Sequence, residues 1–358
     1  MCDGVNHLRS RFRNLAVRAR QNVLTRRIPG DTRKLIIFLT PSWDQPSGGV
    51  FSIVSLYQES VRLRKWHDAE VVLCAIPGEP PLLKYEWFEN DDCILRLDTL
   101  LHQCDQLESL LIHIPELFVN QVAGWLASES ASALKKVKNI HLNVMLQNVD
   151  LLQGQNISGL GKYGKVTCTT GHVAYSNASM RKRLGVPLHQ LLVFYRPEQF
   201  TRLAYEEKEP IFAVSHDDHP LKETILNKIA TVFPDLNIRI LGNLKFDEYK
   251  DLLRRAKWSL TFGEGLDGYF VETVFSGGIS FAVFNDRFFS PEFAALKTVY
   301  SNWDILEKQI TNDLSTFDQP DLYRECWEES YSLLASIYNS HAYQRNLREF
   351  YQENYTLA

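Results

Sequence analysis

The segment Phe262-Gly263-Glu264-Gly265-Leu266-Asp267-Gly268-Tyr269-Phe270-Val271-Glu272 joins an apolar, strand-like run to a short helical pattern. Its glycines let backbone approach a ligand with no Cβ in the way. The helix opening near Tyr269 offers unpaired N–H groups and the positive end of its dipole to a phosphate. Glu264 falls in the loop and Glu272 in the first turns of the helix. Two carboxylates flanking a glycine-rich turn can accept hydrogen bonds from sugar and ribose hydroxyls. The plain alternatives are that Glu272 favours the helix dipole and that Glu264 meets only water. A buried strand running into three glycines and an acid is hard to justify by stability alone.

Three other places carry chemistry-bearing residues. The loop Pro46-Ser47-Gly48-Gly49-Val50 follows an apolar strand and opens a helix, a second set of bare backbone N–H groups for a phosphate or a plain turn. It lacks the G-x-G-x-x-G spacing of a dinucleotide fingerprint. His113 ends the apolar run Leu110–Ile112, where a lone histidine is more often a satisfied core residue than a ligand. The run Ser215-His216-Asp217-Asp218-His219-Pro220-Leu221-Lys222 follows another strand. A metal held by His216, Asp217, Asp218 and His219 is disfavoured, because four neighbouring residues rarely close around one ion.

These loops must be positioned by an alternating pattern. Strand signals lie at Arg33–Thr40, Glu70–Ile76, Cys93–Leu97, Leu110–Ile114, Ile140–Leu146 and Lys165–Thr169. Helical patterns lie at Val50–Arg64, Pro115–Ala127 and His172–Leu184. Residues 195–209 are polar and proline-containing and read as a linker. A cleaner alternation follows, with strands at Ile211–Ser215, Asn237–Leu241, Trp258–Phe262 and Ile279–Phe284 and helices at Pro220–Val232, Phe246–Ala256 and Tyr269–Ser276. From Pro320 the pattern is helical to the end. This predicts an α/β protein of two Rossmann-like, doubly wound domains facing across a cleft, with ligands at the carboxyl ends of the strands. The expected parts are a basic helix over 1–30, an N-terminal domain over 31–195, a C-terminal domain over 210–319, and terminal helices over 320–358 packing back on the first domain.

Glu264 and Glu272, with seven residues separating them between a strand and a helix, resemble the E-x7-E signature of retaining GT-B glycosyltransferases, family 4 above all. There the segment commonly reads E-G-F-G-L-x-x-x-E; here the internal glycines, Gly265 and Gly268, are displaced. The resemblance implies that Glu264 lies by the donor sugar hydroxyls and that Glu272 holds the nucleotide ribose, with Tyr269 at the helix start beside them. It implies that Gly48 and Gly49 approach the donor diphosphate or the acceptor, and that His113 reaches the donor sugar. It also implies that Lys222 faces the diphosphate. His216, or its neighbour Asp217, stands where the family has an arginine.

The expected activity is therefore transfer of a sugar from a nucleotide-sugar donor to a saccharide or lipid-linked saccharide. Retention of configuration, no metal, and no cofactor beyond the donor, which is a substrate, complete the expectation. A phosphorylase would need inorganic phosphate and often a cofactor, for which no motif stands out. The displaced glycines and His216 also fit a non-catalytic nucleotide-sugar binder or partner subunit of a glycan synthase.

The chain of 358 residues has a net charge of −4. Residues 1–34 hold nine basic residues against two acids, a local +7, so the remainder carries −11. An acidic body predicts no nucleic-acid partner. The basic end places Leu8, Phe12, Leu15, Ala19 and Val23 on one helical face. That face fits an anionic membrane surface through residues 7–27, or packing on the body. No secretory leader is legible, and the six scattered cysteines read as reduced thiols. A cytoplasmic protein, peripheral on the inner membrane face and serving surface polysaccharide or glycoconjugate synthesis, is the resulting expectation.

Overall fold

The computed structural model describes all residues except 1, 46, 89, 193 and 243, with side chains from residue 13 onward. Pro46, and the side chains of Leu8 and Phe12, therefore lie outside the described residues. The chain divides into two units, Met1–Val193 with Gln344–Ala358, and Phe194–Tyr343.

In the first unit the elements run α1 (Cys2–Thr25), β1 (Lys34–Thr40), α2 (Gly48–Arg62), α3 (Arg64–His67), β2 (Glu70–Ala75), β3 (Ile94–Leu95), α4 (Leu97–Gln103), β4 (Ser109–Pro115), α5 (Val119–Leu126), β5 (Asn139–Leu146), β6 (Lys165–Thr170), α6 (Ala178–Leu184) and β7 (Leu188–Gln190). The strands form one parallel sheet in the order β3-β2-β1-β4-β5-β6-β7. After Lys34, β1 is buried at every residue, which is why it reads as an unbroken apolar run. The order reverses between β1 and β4, the switch point at which doubly wound sheets hold ligands.

The second unit contains β8 (Glu209–Ser215), α7 (Lys222–Val232), β9 (Asn237–Leu241), α8 (Phe246–Arg255), β10 (Ala256–Leu260), α9 (Gly268–Phe275), β11 (Ile279–Val283), β12 (Val299–Tyr300), α10 (Trp303–Phe317) and α11 (Pro320–Ile337). Its parallel sheet has the order β12-β11-β10-β8-β9. Along β8 the side chains alternate between two cores, Phe212 and Val214 against α7 and α10, Ile211 and Ala213 against α8. Here the order reverses between β8 and β10.

Several elements differ from the sequence reading. The helix expected from His172 begins only at Ala178, because the Asn177 side chain accepts from Met180 N and starts it there. Helix α10 precedes Pro320 and is started by Asn302, which accepts from Ile305 N at 3.0 Å. Strands β7 and β12 are too short to show a period.

In α1 the apolar face read from the sequence does not pack on the body. Leu15, Ala19 and Val23 are exposed, and the opposite face, with Gln21 and Thr25 buried, meets the rest of the unit. No helix among the described residues is long and apolar enough to cross a membrane.

The last helix, α12 (Ser340–Tyr351), brings Phe350 into the first unit. Its ring is 1% exposed and lies 5.6 to 5.8 Å from the imidazoles of His113, His141 and His189. Leu357 then bridges Leu188, and Glu353 pairs with Lys165 at 2.7 Å. Replacing Phe350 with alanine should cost about 3–5 kcal/mol of stability, read by guanidinium denaturation of the full chain. A loss under about 1 kcal/mol would mean that this ring is not a core residue of the unit.

Candidate functional site

At the switch point of the second unit, the Ser215 hydroxyl accepts from Phe262 N at 2.9 Å and ties the end of β8 to the end of β10. Two loops leave from this tie. The first runs from His216 to α7. Lys222, the first residue of α7, folds its ammonium back onto the carbonyls of Ser215 and Asp217, at 2.8 and 2.7 Å. Two of its three donors are thus spent holding the loop, which leaves one for an incoming anion.

The second loop, Gly263 to Asp267, lies against the first. A Cβ on Gly263 would sit 2.8 Å from an Asp217 carboxylate oxygen, so the glycine lets that carboxylate lie against the second loop without shifting. Gly265 has φ +91°, and a side chain on it would collide with the Phe289 ring. Asp267 caps α9 by accepting from Phe270 N at 3.1 Å, and its other oxygen bonds to the Thr261 hydroxyl.

Asp217 lies near enough for its charge to act on Glu264 and Asp267, and the Lys222 ammonium on the Asp217 carbonyl is a cation beside them. Burial, and then the charge of Asp217, push the Glu264 carboxyl up to about 7. Burial pushes Asp267 up to about 7 as well, with Asp217 and Glu264 adding to it and the bonds from Thr261 and Phe270 N opposing it. One Asp217 oxygen, Oδ2, is buried with no hydrogen-bond partner among the described residues. A buried polar atom left without a partner is costly, and it marks a place where a ligand could supply the donor.

The flanks are aromatic and basic. His216 is exposed and its Nδ1 lies 2.8 Å from the Tyr269 hydroxyl. His219 turns elsewhere, stacking 4.0 Å from the Trp303 ring, so the run His216–His219 does not converge on one point. Glu272 is 5% exposed and bonds to the ammonium of Lys250. Burial raises its carboxyl, opposed by Lys250 and by a hydrogen bond from Tyr249. Tyr195, in the segment read as a linker, is buried with its phenol held un-ionised by burial and by Glu272, Asp267 and Glu264. A Cβ on Gly268 would meet the Tyr195 hydroxyl at 3.3 Å and the Tyr249 hydroxyl at 3.6 Å.

Of the residues singled out by sequence, Lys222, His216, Glu264, Gly265, Gly268, Tyr269 and Glu272 thus belong to one neighbourhood of the second unit. Gly48, Gly49 and His113 belong to the first. Gly48 and Gly49 open α2 behind Ser47, which accepts from Val50 N at 3.4 Å, and the Gln147 side chain donates to the Gly49 carbonyl at 3.0 Å. His113 is fully buried in β4. It stacks 4.2 Å from Phe38 and bonds to Asn143, which continues a polar ladder to Thr169 and Thr167. Burial holds its imidazole neutral. Sequence reasoning did not bring Asp217 beside Glu264, and missed Asp267, Tyr195, Tyr249 and Lys250 altogether. Only Asp267 had a local signal, an aspartate three residues before an apolar helical run.

The raised carboxyls make a signed prediction. A carboxyl with a folded pKa near 7 and an ordinary unfolded value costs stability progressively as pH rises from about 4.3 through 7. Glu264→Gln removes that cost. The variant should be more stable than the native chain at pH 8, by roughly 1–3 kcal/mol, and equal to it near pH 4, as read from denaturation at both pH values. A difference independent of pH would show that Glu264 ionises normally.

No family model matches the sequence, and no curated protein matches it. Solved structures match in shape. An alpha-glucosyltransferase in complex with UDP-glucose and DNA containing an abasic site is similar at TM-score 0.56 and 10% identity, over 84% of this chain and 95% of that one. HepE from Anabaena, in complex with UDP-glucose, is similar at TM-score 0.56 and 9% identity, over 90% of this chain and all of the other. The alpha,alpha-trehalose 6-phosphate synthase of Burkholderia multivorans is similar at 0.51 and 9%, with coverage of 90% and 100%. At such identities the likeness is one of fold, and the fold is that of GT-B glycosyltransferases. The comparison corrects one expectation. Glucosyltransferases of this shape have been solved with DNA, so the acidic net charge does not exclude a nucleic-acid partner. Phosphate contact depends on where cations sit and not on the sum over a chain, and here +7 is concentrated in residues 1–34.

Proposed function

We propose that the chain is a glycosyltransferase that takes a sugar from a nucleotide-sugar donor, with the donor held at the ends of β8 and β10. The observation that carries this reading is the carboxyl cluster of Asp217, Glu264 and Asp267 with Asp217 Oδ2 unpartnered. A sugar is dense in hydroxyl donors and supplies the donor that Asp217 Oδ2 lacks. Fold alone would not argue the point, since one scaffold hosts many functions.

The reaction follows from the same atoms. Transfer breaks the bond between the anomeric carbon and the diphosphate oxygen and forms one to an acceptor hydroxyl oxygen, whose proton passes to the departing diphosphate. Negative charge grows on the departing diphosphate. Lys222, with its remaining N–H, and His216 are the nearby groups of the right kind to meet that charge, and fixed donors of this kind are worth most where charge develops. Glu264 and Asp217 orient the sugar hydroxyls. A metal-independent reaction with retention of configuration, building a polysaccharide or glycoconjugate, belongs to this reading; the anomer and the acceptor of the product test those parts.

The displaced glycines, and His216 standing exposed where the resemblance expects an arginine, favour a second reading: a protein that binds a nucleotide sugar without turning it over. Incubation with UDP-, GDP-, dTDP- and CMP-sugars separates the two. A transferase releases nucleoside diphosphate from one donor, and Lys222→Ala lowers kcat/KM for it by about 100-fold or more. A donor that raises the melting temperature yet releases no diphosphate with any saccharide acceptor would favour the binder. No shift with any donor would remove both.

A further inference from the structure

We propose that the solvent face of α1 docks the protein on an anionic lipid bilayer. This surface lies in the first unit, the ends of β8 and β10 in the second, and it does not depend on the proposed activity. Leu15 and Val23 are 61% and 60% exposed, and Ala19 between them is exposed as well. At spacing i, i+4, i+8 they form one apolar ridge. The helix is fixed with this ridge outward. On its other side the Gln21 amide donates to the carbonyls of Leu82 and Ile94 at 2.9 and 2.8 Å, and Leu24 packs on the core of the unit. Rolling the ridge inward would break two buried hydrogen bonds.

Arginines border the ridge. Arg13, Arg20 and Arg27, seven residues apart, follow one flank; Arg18 lies on the other and Arg26 at its end, all exposed. No acid occurs from Asn14 to Gly30, and no salt bridge engages these arginines among the described residues. A bilayer with anionic headgroups answers both features, with phosphates at the level of the arginines and acyl chains beneath the ridge. A nucleic-acid duplex would pair the arginines but gain nothing from Leu15 and Val23. A second copy would set the same cations face to face.

The test is co-sedimentation of the full chain with vesicles of phosphatidylcholine alone and of phosphatidylcholine mixed with phosphatidylglycerol. The chain should bind only the mixed vesicles, less as salt rises. Leu15→Ser with Val23→Ser should weaken binding at least about tenfold, and Arg18→Gln and Arg20→Gln about fivefold each. The melting temperature should stay unchanged in all of them, because the side chains are exposed. Absence of vesicle binding would overturn the proposal. So would duplex-DNA binding that the serine variants leave intact in a chain that ignores vesicles, or a concentration-dependent dimer that the serine variants abolish.

Discussion

Three carboxyl groups that would repel one another in the open are held together by the tie between β8 and β10. The Ser215 hydroxyl receives Phe262 N, Gly263 has no side chain to keep Asp217 away, and Thr261 and Phe270 N pin Asp267. Each of these contacts favours closeness, and none brings a positive charge to the cluster. The cost shows in the raised carboxyls of Glu264 and Asp267. Clusters of this kind are found where function needs them, since stability alone would remove them. A ligand rich in hydroxyl donors would offset the cost, which is the ground for proposing a sugar site.

The two units use buried polarity differently. In the first, His113, Asn143, Thr167 and Thr169 hydrogen-bond to one another inside the sheet. That ladder is part of the core, and Phe350 lies against it. In the second, the polar groups gather where β8 and β10 end, and Asp217 Oδ2 stays without a partner there, as His113 Nε2 does inside the first sheet.

Much of the fold was legible because parallel strands buried on both faces read as unbroken apolar runs. β1, β4, β5 and β10 fall within a residue or two of the expected segments, and the sheet orders place the loops at the switch points where ligands were expected. Glu264 and Lys222 were legible from their loops. The partners that set their chemistry were not. Asp217 meets Gly263 and Asp267 only through the crossing of two loops about fifty residues apart in sequence. Tyr195 lies in a polar stretch that looks like a linker, and Lys250 looks like any solvated helix lysine until Glu272 is brought beside it. His113 reads either as a core residue or, by the resemblance, as reaching the donor sugar; the strand runs on to Pro115 and Phe38 covers the imidazole. Such long-range pairings leave no period for a single sequence to show.

The claim that these carboxyls serve a sugar is most directly tested by titration calorimetry of the native chain and Asp217→Asn with a nucleotide sugar and with its nucleoside diphosphate alone. The account predicts that the substitution weakens the nucleotide sugar at least about tenfold and leaves the diphosphate nearly unchanged. Equal losses for both ligands, or none for either, would contradict it.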